Sequence, residues 1–588
     1  MPKKSSRTES SRIPDLAGGI LDNFCKNPQG KDFGVPAKQK TSKRASESDD
    51  YVVVGTGVQN PGIKCKACGE IPRLKSNLGI KQECDRISRY LTPRREPSCP
   101  DAACANHAIS VLSNPQAYYP HGHSRAGSTR YKCKACGKTF AVGKSTRGQK
   151  APEKNRQIFM EVVNGNPINR ICELANVRPQ TVYDKIDFFQ EQCLKFLGDK
   201  ERRLKAGFPI EKLYLSSDRQ DYIVNWTHRK DKRTTQLSAV GTADNGSGYI
   251  FGMHLNFDPD ADPIATEAAA HAAGDYHVKR PFRQFARLWL TQDYGSEKDT
   301  FDTAPQKITS GNLSKDIEYA YNVVVRREDT EISNRIPATH KLPAQGMQVH
   351  AEYTLYAHFQ FLKQLFGGVG KLRFFLDQDS GIRAACLSAF QKEIRANTAD
   401  AFFVTIDKSM SQDQKREEVS QRREAFKKEK GRFPGKNDYE VKIELVKEQL
   451  ANTPRFGPWG DRWLFHPFPT MQEPKLAICH LTDQAQYDVD HLAGLYLKAS
   501  MSGIDVFFQM VRSRLSVLSR GVPTAGSARR ICHRNSPYNP KMVEKLLIIL
   551  RTYVNYCRPS SSKNAKTRAM RLGLAKGKVR VEDILYYS

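Results

Sequence analysis

The 588-residue chain has no uninterrupted apolar run approaching the ~18 residues needed to cross a bilayer, so no membrane span is expected. Its opening, Met1-Pro2-Lys3-Lys4, is basic, but no apolar core follows it, and a secretory leader is not expected either. Negative charge is scarce: 63 Asp and Glu stand against 93 Lys and Arg, a formal net charge of +30. So large an excess asks for a partner of dense negative charge. Nucleic acid fits best, because phosphate neutralisation dominates such binding. On charge alone, a basic soluble enzyme without a polyanion partner is the alternative.

Cysteine is present in a pattern. Of 14 cysteines, eight fall between Cys25 and Cys136, several in CxxC pairs. In a chain without a secretory leader, such pairs favour metal thiolates over disulfides. Cys99-Pro-Asp-Ala-Ala-Cys104 precedes Tyr131-Lys-Cys133-Lys-Ala-Cys136-Gly, and Cys25-Lys-Asn-Pro-Gln-Gly30 precedes Ile63-Lys-Cys65-Lys-Ala-Cys68-Gly. The halves share the string KCKACG, so this is a duplicated module in which Gly30 stands where the second copy has Cys104. Cys99, Cys104, Cys133 and Cys136 form two knuckles suited to one tetrahedral zinc ion, a structural site because four protein ligands leave no open position. Cys25, Cys65 and Cys68 offer three ligands for a second zinc. Cys84 is a fourth candidate, but its neighbours read as helix. His107, His121 and His123 read as surface or DNA-facing residues rather than ligands.

Residues 1–20 and 36–50, rich in Ser, Lys, Arg and Asp, read as flexible. Residues 154–195 carry a helix-turn-helix pattern: a helix over Asn155–Asn164, a Gly165-Asn166-Pro167 break, a second apolar face on Ile168, Ile171, Leu174 and Ala175, and a Val177-Arg178-Pro179 turn. The third helix opens with Gln180-Thr181-Val182-Tyr183-Asp184-Lys185. Polar groups at such a start meet base edges in a major groove, so Arg178, Gln180, Thr181 and Lys185 are the expected DNA contacts. A three-helix packing unit that touches no DNA is the alternative.

Strands follow at Lys212–Asp218, Gln236–Thr242 and Gly248–Leu255, the last two joined by the turn Asp244-Asn-Gly-Ser-Gly248. A helix over Thr354–Phe366 leads to the nearly continuously apolar strand Leu372–Asp377, then to a strand at Phe402–Asp407 and an amphipathic helix over Ile504–Leu518. Asp218 and Asp377 end apolar strands, where carboxylates can converge on a cation without full burial. Asp505 on the later helix could close the site. Three acids of this kind can hold Mg²⁺ or Mn²⁺. Asp221 and Asp379 are neighbouring alternatives.

The cysteine run through Lys138-Thr-Phe140, with the helix-turn-helix after it, resembles the DNA-binding part of bacterial insertion-sequence transposases. The remainder resembles their RNase H-like catalytic domain of the DDE/DDD class. There the third acid lies on a helix with a basic residue seven positions later, as Asp505 and Arg512 do. Ala569-Met-Arg-Leu-Gly-Leu-Ala575 is similar to the short tails of such enzymes. The third acid here is Asp rather than the usual Glu.

The resemblance implies a multidomain protein. A flexible basic tail (1–20), a degenerate first zinc module (21–94), a zinc ribbon (95–150) and an all-α helix-turn-helix domain (151–200) precede an α/β RNase H-like domain (208–520). That domain has insertions at about 258–350 and 408–495, the latter holding Trp459 and Trp463, and a basic C-terminal segment (521–588) follows, in which residues 541–588 begin with an apolar helix over Met542–Tyr556 and end in a basic tail. Asp218, Asp377 and Asp505 would hold catalytic Mg²⁺ or Mn²⁺ while Arg512 contacts DNA. Gln220, Asn225 and Trp226 would line a strand groove. The implied partners are double-stranded DNA, both element ends and target, and a second copy of the chain, in a cytoplasmic, nucleoid-associated bacterial setting. A non-catalytic DNA-binding regulator of the same descent and an RNA-processing zinc protein are the competing readings.

Overall fold

Leu372–Leu376 and Ala399–Val404 are buried at every position, which marks strands covered on both faces. In the computed structural model they lie at the centre of an eight-stranded mixed sheet. The structure describes residues 12–39, 50–55, 60–93, 96–124, 127–143, 145–146, 148–225, 234–294, 312–326, 343–407, 410–453, 455–456, 460–519, 522–523, 531–532, 537, 539–560 and 565–587. Trp226 and Trp459 lie outside them, as do parts of both expected insertions and of the terminal segments.

The chain forms two compact units. The first comprises Met1–Ile87, Leu204–Ser513 and Val517–Leu547; the second comprises Ser88–Arg203, Arg514–Ser516 and Ile548–Ser588. Among the described residues, no helix is long and apolar enough to cross a membrane.

The first unit is built on β1 (Ile210–Asn225), β2 (Thr234–Asp244), β3 (Ile250–Leu255), α1 (Ala351–Leu365), β4 (Val369–Asp377), α2 (Ser380–Ala389), β5 (Ala399–Ile406), β6 (Asp461–Phe465), β7 (Leu476–His480) and α3 (Ser502–Arg514). The strand order is β6-β7-β5-β4-β1-β2-β3, with the short strand Arg455–Phe456 outside β6. β1–β3 form an antiparallel meander. β4 runs parallel to β1 and β5 parallel to β4. The β2–β3 turn is held by Asp244, whose carboxylate accepts the Ser247 N–H (2.6 Å), the Ser247 hydroxyl (2.7 Å) and the Tyr214 N–H (3.1 Å).

Four expectations change here. β1 is far longer than Lys212–Asp218, because its pairing with β2 continues to Asn225. The 408–495 segment is only partly an insertion. Its helices Gln412–Lys430 and Asp438–Asn452 both open with capping boxes, but β6 and β7 pair into the main sheet and stack Trp463 against Phe403. The first cysteine module is not a separate domain: Lys26 Nζ donates to Ser388 Oγ on α2 (2.7 Å), and the Tyr353 hydroxyl on α1 accepts the Ser76 N–H (3.2 Å). Within the expected flexible tail, Ile13, Pro14 and Ile20 are buried, and Asn77 Nδ2 donates to the Asp15 carbonyl (2.9 Å).

In the second unit, Tyr118–His123, Thr129–Cys133 and Thr139–Val142 form a three-stranded antiparallel ribbon. Helices Asn155–Val163, Ile168–Ala175 and Pro179–Lys205 follow. Asn176, at φ 47°, ends the second of these in the left-handed conformation asparagine tolerates. The third helix runs ten residues past its expected end because it has a partner: Phe196 packs edge-on against Tyr556 and Tyr587, Gln192 Nε2 donates to the Leu585 carbonyl (2.8 Å), and Glu201 pairs with Arg551. In the segment 521–588, the expected apolar helix over Met542–Tyr556 is present, starting two residues earlier at Pro540, and two short helices, Arg568–Leu572 and Val581–Leu585, stand in the part expected as a basic tail.

Candidate functional site

Among the described residues, two groups of three or more Cys, His, Asp or Glu have ligand atoms all within 4.8 Å of one another. They are Cys99, Cys104, Cys133 and Cys136, and Cys25, Cys65 and Cys68. In the first group, Cys99 and Cys136 Sγ lie 3.4 Å apart and Cys104 and Cys133 Sγ 3.7 Å. Sulfurs bound at ~2.3 Å to a tetrahedral ion are separated by about 3.8 Å. The knuckle geometry favours a thiolate at Cys133. Burial opposes ionisation of Cys133, but the Cys136 N–H, the Asn106 side-chain amide and the Ala135 N–H outweigh it and bring the thiol down to about 6. Burial pushes the Cys99 thiol up to about 12. Both clusters can thus hold a metal ion such as zinc. His107 serves the loop instead, with Nδ1 2.9 Å from the Cys99 carbonyl. Cys84 is no fourth ligand: it sits on helix Asn77–Ser88 and accepts from Gln364 Nε2 (3.2 Å).

The acidic residues converge in the first unit. The β1–β4 register runs to Leu376 beside Ser217, so the next residues, Asp377 and Asp218, are neighbours on adjacent parallel strands. Asp218 is not at the end of β1, as the sequence suggests, but at the point where β4 stops; beyond it β1 pairs with β2. It is 7% exposed, and Asp377 is half-buried.

Helix α3 docks on the same sheet face. Its N-terminal amides find specific acceptors: Gly503 N–H donates to Asn245 Oδ1 and Ile504 N–H to Ser216 Oγ, each 3.0 Å, while Asn245 Nδ2 donates to the Ser500 carbonyl (2.7 Å). Gly241 is paired with Asp218 across β1–β2, and a Cβ there would come within 2.7 Å of Ile504 Cδ1 and 2.9 Å of Met253 Sδ. A side chain at Gly503 would collide with Asn245 and Ser216. Two glycines thus permit the close approach that carries Asp505, in the first turn of α3, toward Asp218. Arg512 lies two turns later on that helix, and its charge is felt at Tyr222 of β1.

The three acids do not form one tight cluster, since their oxygens do not all fall within 4.8 Å of one another. Two alternatives are otherwise engaged. Asp379 caps α2, accepting from the Gly381 and Ile382 N–H groups (2.8 and 3.1 Å), and pairs with Arg219 at 2.7 Å. Asp221 accepts from Ser238 Oγ and Gln236 Nε2 (2.5 and 2.7 Å).

Two residues missed in the sequence belong here. Burial works against the Arg219 charge, but Asp379, Asp221, Asp218 and Asp377 outweigh it and raise its pKa. Its place directly after Asp218 was the available signal. Glu473 caps the approach to α3 through Met501 N–H (2.7 Å) and Ser500 Oγ. Burial raises its pKa, and the negative charge of Asp505 adds to that rise. Its loop gave no sequence signal.

In the helical unit, Arg178 and Gln180 are exposed and Thr181 half-buried. Lys185 departs from the expected surface role. It is 2% exposed, and its ammonium donates to Gln149 Oε1 (3.3 Å). Three residues after buried Val182 and one before buried Ile186, it falls on the packed stripe of its helix.

No protein-family model matches the chain, and a search of curated proteins finds no match to it.

Proposed function

We propose that the chain is a DNA transposase of the DDE/DDD type. The cysteine ribbon and three-helix segment would hold element ends, and the acidic site would cut DNA and join the freed 3′ end to target DNA. One observation carries this reading: Asp218 and Asp377 are neighbours on parallel strands, with the helix bearing Asp505 docked over Gly241 beside them. The strand order, an antiparallel meander followed by two parallel strands on its β1 side, supports an RNase H-like domain.

The donor set fits a hard cation: carboxylate oxygens on two central strands at the point where β4 ends, with the guanidinium of Arg219 drawn among them as a positive counter-charge. Mg²⁺ or Mn²⁺ bound there would supply Lewis acidity to the phosphodiester. Asp218, Asp377 and Asp505 would be its ligands. Glu473 and Asn245 hold the start of α3 and so set where Asp505 stands. Arg512, on the same helix, is suited to a DNA phosphate. Arg178, Gln180 and Thr181 supply the exposed or part-exposed polar groups of the helical reader. Joining two DNA ends implies at least a dimer.

Strand transfer by the purified chain with Mg²⁺ or Mn²⁺ and duplex DNA tests the proposal. Asp218→Asn, Asp377→Asn and Asp505→Asn should each abolish cleavage while leaving duplex binding intact. Cleavage that survives all three defeats the assignment. The spread of the acids beyond 4.8 Å favours, as a second reading, a DNA-binding regulator without catalysis. It predicts duplex binding with no strand transfer in either metal.

A further inference from the structure

We infer that the first cysteine module is a complete metal site whose fourth ligand is the carboxylate of Asp32, giving a Cys25–Cys65–Cys68–Asp32 zinc centre. This is independent of the DNA-processing reading.

The two modules share a scaffold beyond their cysteines. In the second, the Tyr118 hydroxyl accepts the Cys99 N–H (3.1 Å) and lies 2.9 Å from the Asn106 carbonyl and 2.5 Å from that of Ile109. In the first, the Tyr51 hydroxyl accepts the Cys25 N–H (3.0 Å) and lies 3.0 Å from the Asp32 carbonyl and 2.6 Å from that of Val35. Asp32 follows Cys25 by seven residues, as Asn106 follows Cys99. Asp32 and Asn106 therefore occupy equivalent places, and both reach the first cysteine of the KCKACG string. Asn106 Nδ2 donates to Cys133 Sγ (3.3 Å), and Asp32 Oδ2 lies 3.2 Å from Cys65 Sγ.

The exchange of chemistry at these places is paired. In the second module Cys104 supplies the fourth sulfur, and Asn106 only steadies Cys133. In the first, Gly30 has no side chain to offer, and the carboxamide is replaced by a carboxylate. Asp32 is 5% exposed and Cys65 1%. The Cys65 thiol donates to Asp32 Oδ2 at 3.2 Å, so a cation that took the place of that proton would meet the sulfur and the carboxylate oxygen together. Zinc accepts a carboxylate oxygen at ~2.0–2.2 Å alongside thiolates.

The other nearby carboxylate is committed elsewhere. Glu70 Oε2 lies 3.3 Å from Cys25 Sγ, but Glu70 Oε1 accepts from Arg383 at 3.1 Å, so its charge is already paired. Asp32 is left as the ligand that replaces Cys104; its carboxylate touches Cys65 but is not within 4.8 Å of all three sulfurs, so it would turn toward Cys25 and Cys68 when the ion binds.

Metal content of the full-length chain tests this. Purified wild type should hold two zinc ions per chain. Asp32→Ala should keep one and lose the other to a chromophoric chelator, and Glu70→Gln should keep both. Asp32→Cys, which tolerates the possibility that the alanine variant misfolds, should keep two. In cobalt(II)-loaded protein, its thiolate-to-cobalt charge-transfer band should exceed that of wild type by one thiolate, eight against seven. The inference is overturned by one zinc per wild-type chain, by an Asp32→Ala variant as chelator-resistant as wild type, or by an Asp32→Cys cobalt spectrum equal to wild type.

Discussion

Replacing Asn245 with alanine removes both side-chain hydrogen bonds that this residue makes to the start of α3. The Gly503 N–H loses its acceptor and the Ser500 carbonyl loses its donor. A net hydrogen bond contributes about 1 kcal/mol, and a partner left without a replacement raises the cost, so the docked state of α3 should lose about 2 kcal/mol. At ~1.4 kcal/mol per factor of ten, opening becomes roughly 30-fold more frequent. Hydrogen exchange read on peptides spanning residues 500–514 measures this directly. Amide exchange there should accelerate by about that factor, while peptides from β4 and β5 keep wild-type rates. Metal-dependent cleavage should fall with duplex binding unchanged, because only the position of Asp505 is disturbed. Wild-type exchange across 500–514 would refute the claim that Asn245 anchors this helix. Altered exchange with undiminished cleavage would instead detach Asp505 from the chemistry.

Three further outcomes follow from the same structure. Cys133→Ser should release the zinc of the second module and broaden the NMR signals of its ribbon, while α3 keeps its exchange protection; zinc retained at wild-type affinity contradicts the ligand set. Lys185→Met should leave duplex affinity and its salt dependence unchanged, whereas Arg178→Ala should flatten that dependence, because only Arg178 is exposed. Burial raises the pKa of Asp400, but His480 and Arg373 outweigh it, with Tyr487 adding to them, and the pKa is lowered from 3.8. The unfolded chain therefore binds this proton first as pH falls. The stabilisation is fully present above pH ~3.8 and is lost as pH drops through the depressed value. Arg373→Met, which strands the buried carboxylate, should cost about 3–5 kcal/mol by denaturant titration near neutral pH.

Much of the acidic site was legible because strand order in an α/β sheet is written in apolar runs. Leu372–Asp377 and Phe402–Asp407 are apolar enough to mark central strands, and an acid at the end of such a run is unusual. The position of Asp218 was harder to read. The run Arg219–Asn225 is polar on one face, so the sequence suggests an end where β2 pairing in fact continues. β6 and β7 were missed because densely charged helices precede them and hide two short strands. Lys185 is misread from composition: its helix has an apolar stripe that includes 185, and the half-buried Gln149, which accepts its ammonium, gives a lysine a place there. The equivalence of Asp32 with Asn106 rests on two tyrosine hydroxyls, which no spacing within KCKACG reveals.

The length of β1 has a mechanical consequence. Past Asp218 it continues for seven residues to Asn225, on the order of 20 Å at ~3.3 Å per residue. Over that span it pairs with β2 on one side, with β3 beyond β2 only as far as Gln220, and at its far end the Asn225 N–H donates to the Pro537 carbonyl (2.9 Å). A two-stranded ribbon coils more strongly than a broad sheet. Tyr222 and Val224 on that stretch are buried, so a displacement near Asn225 reaches Asp218 through packed side chains as well as along the strand.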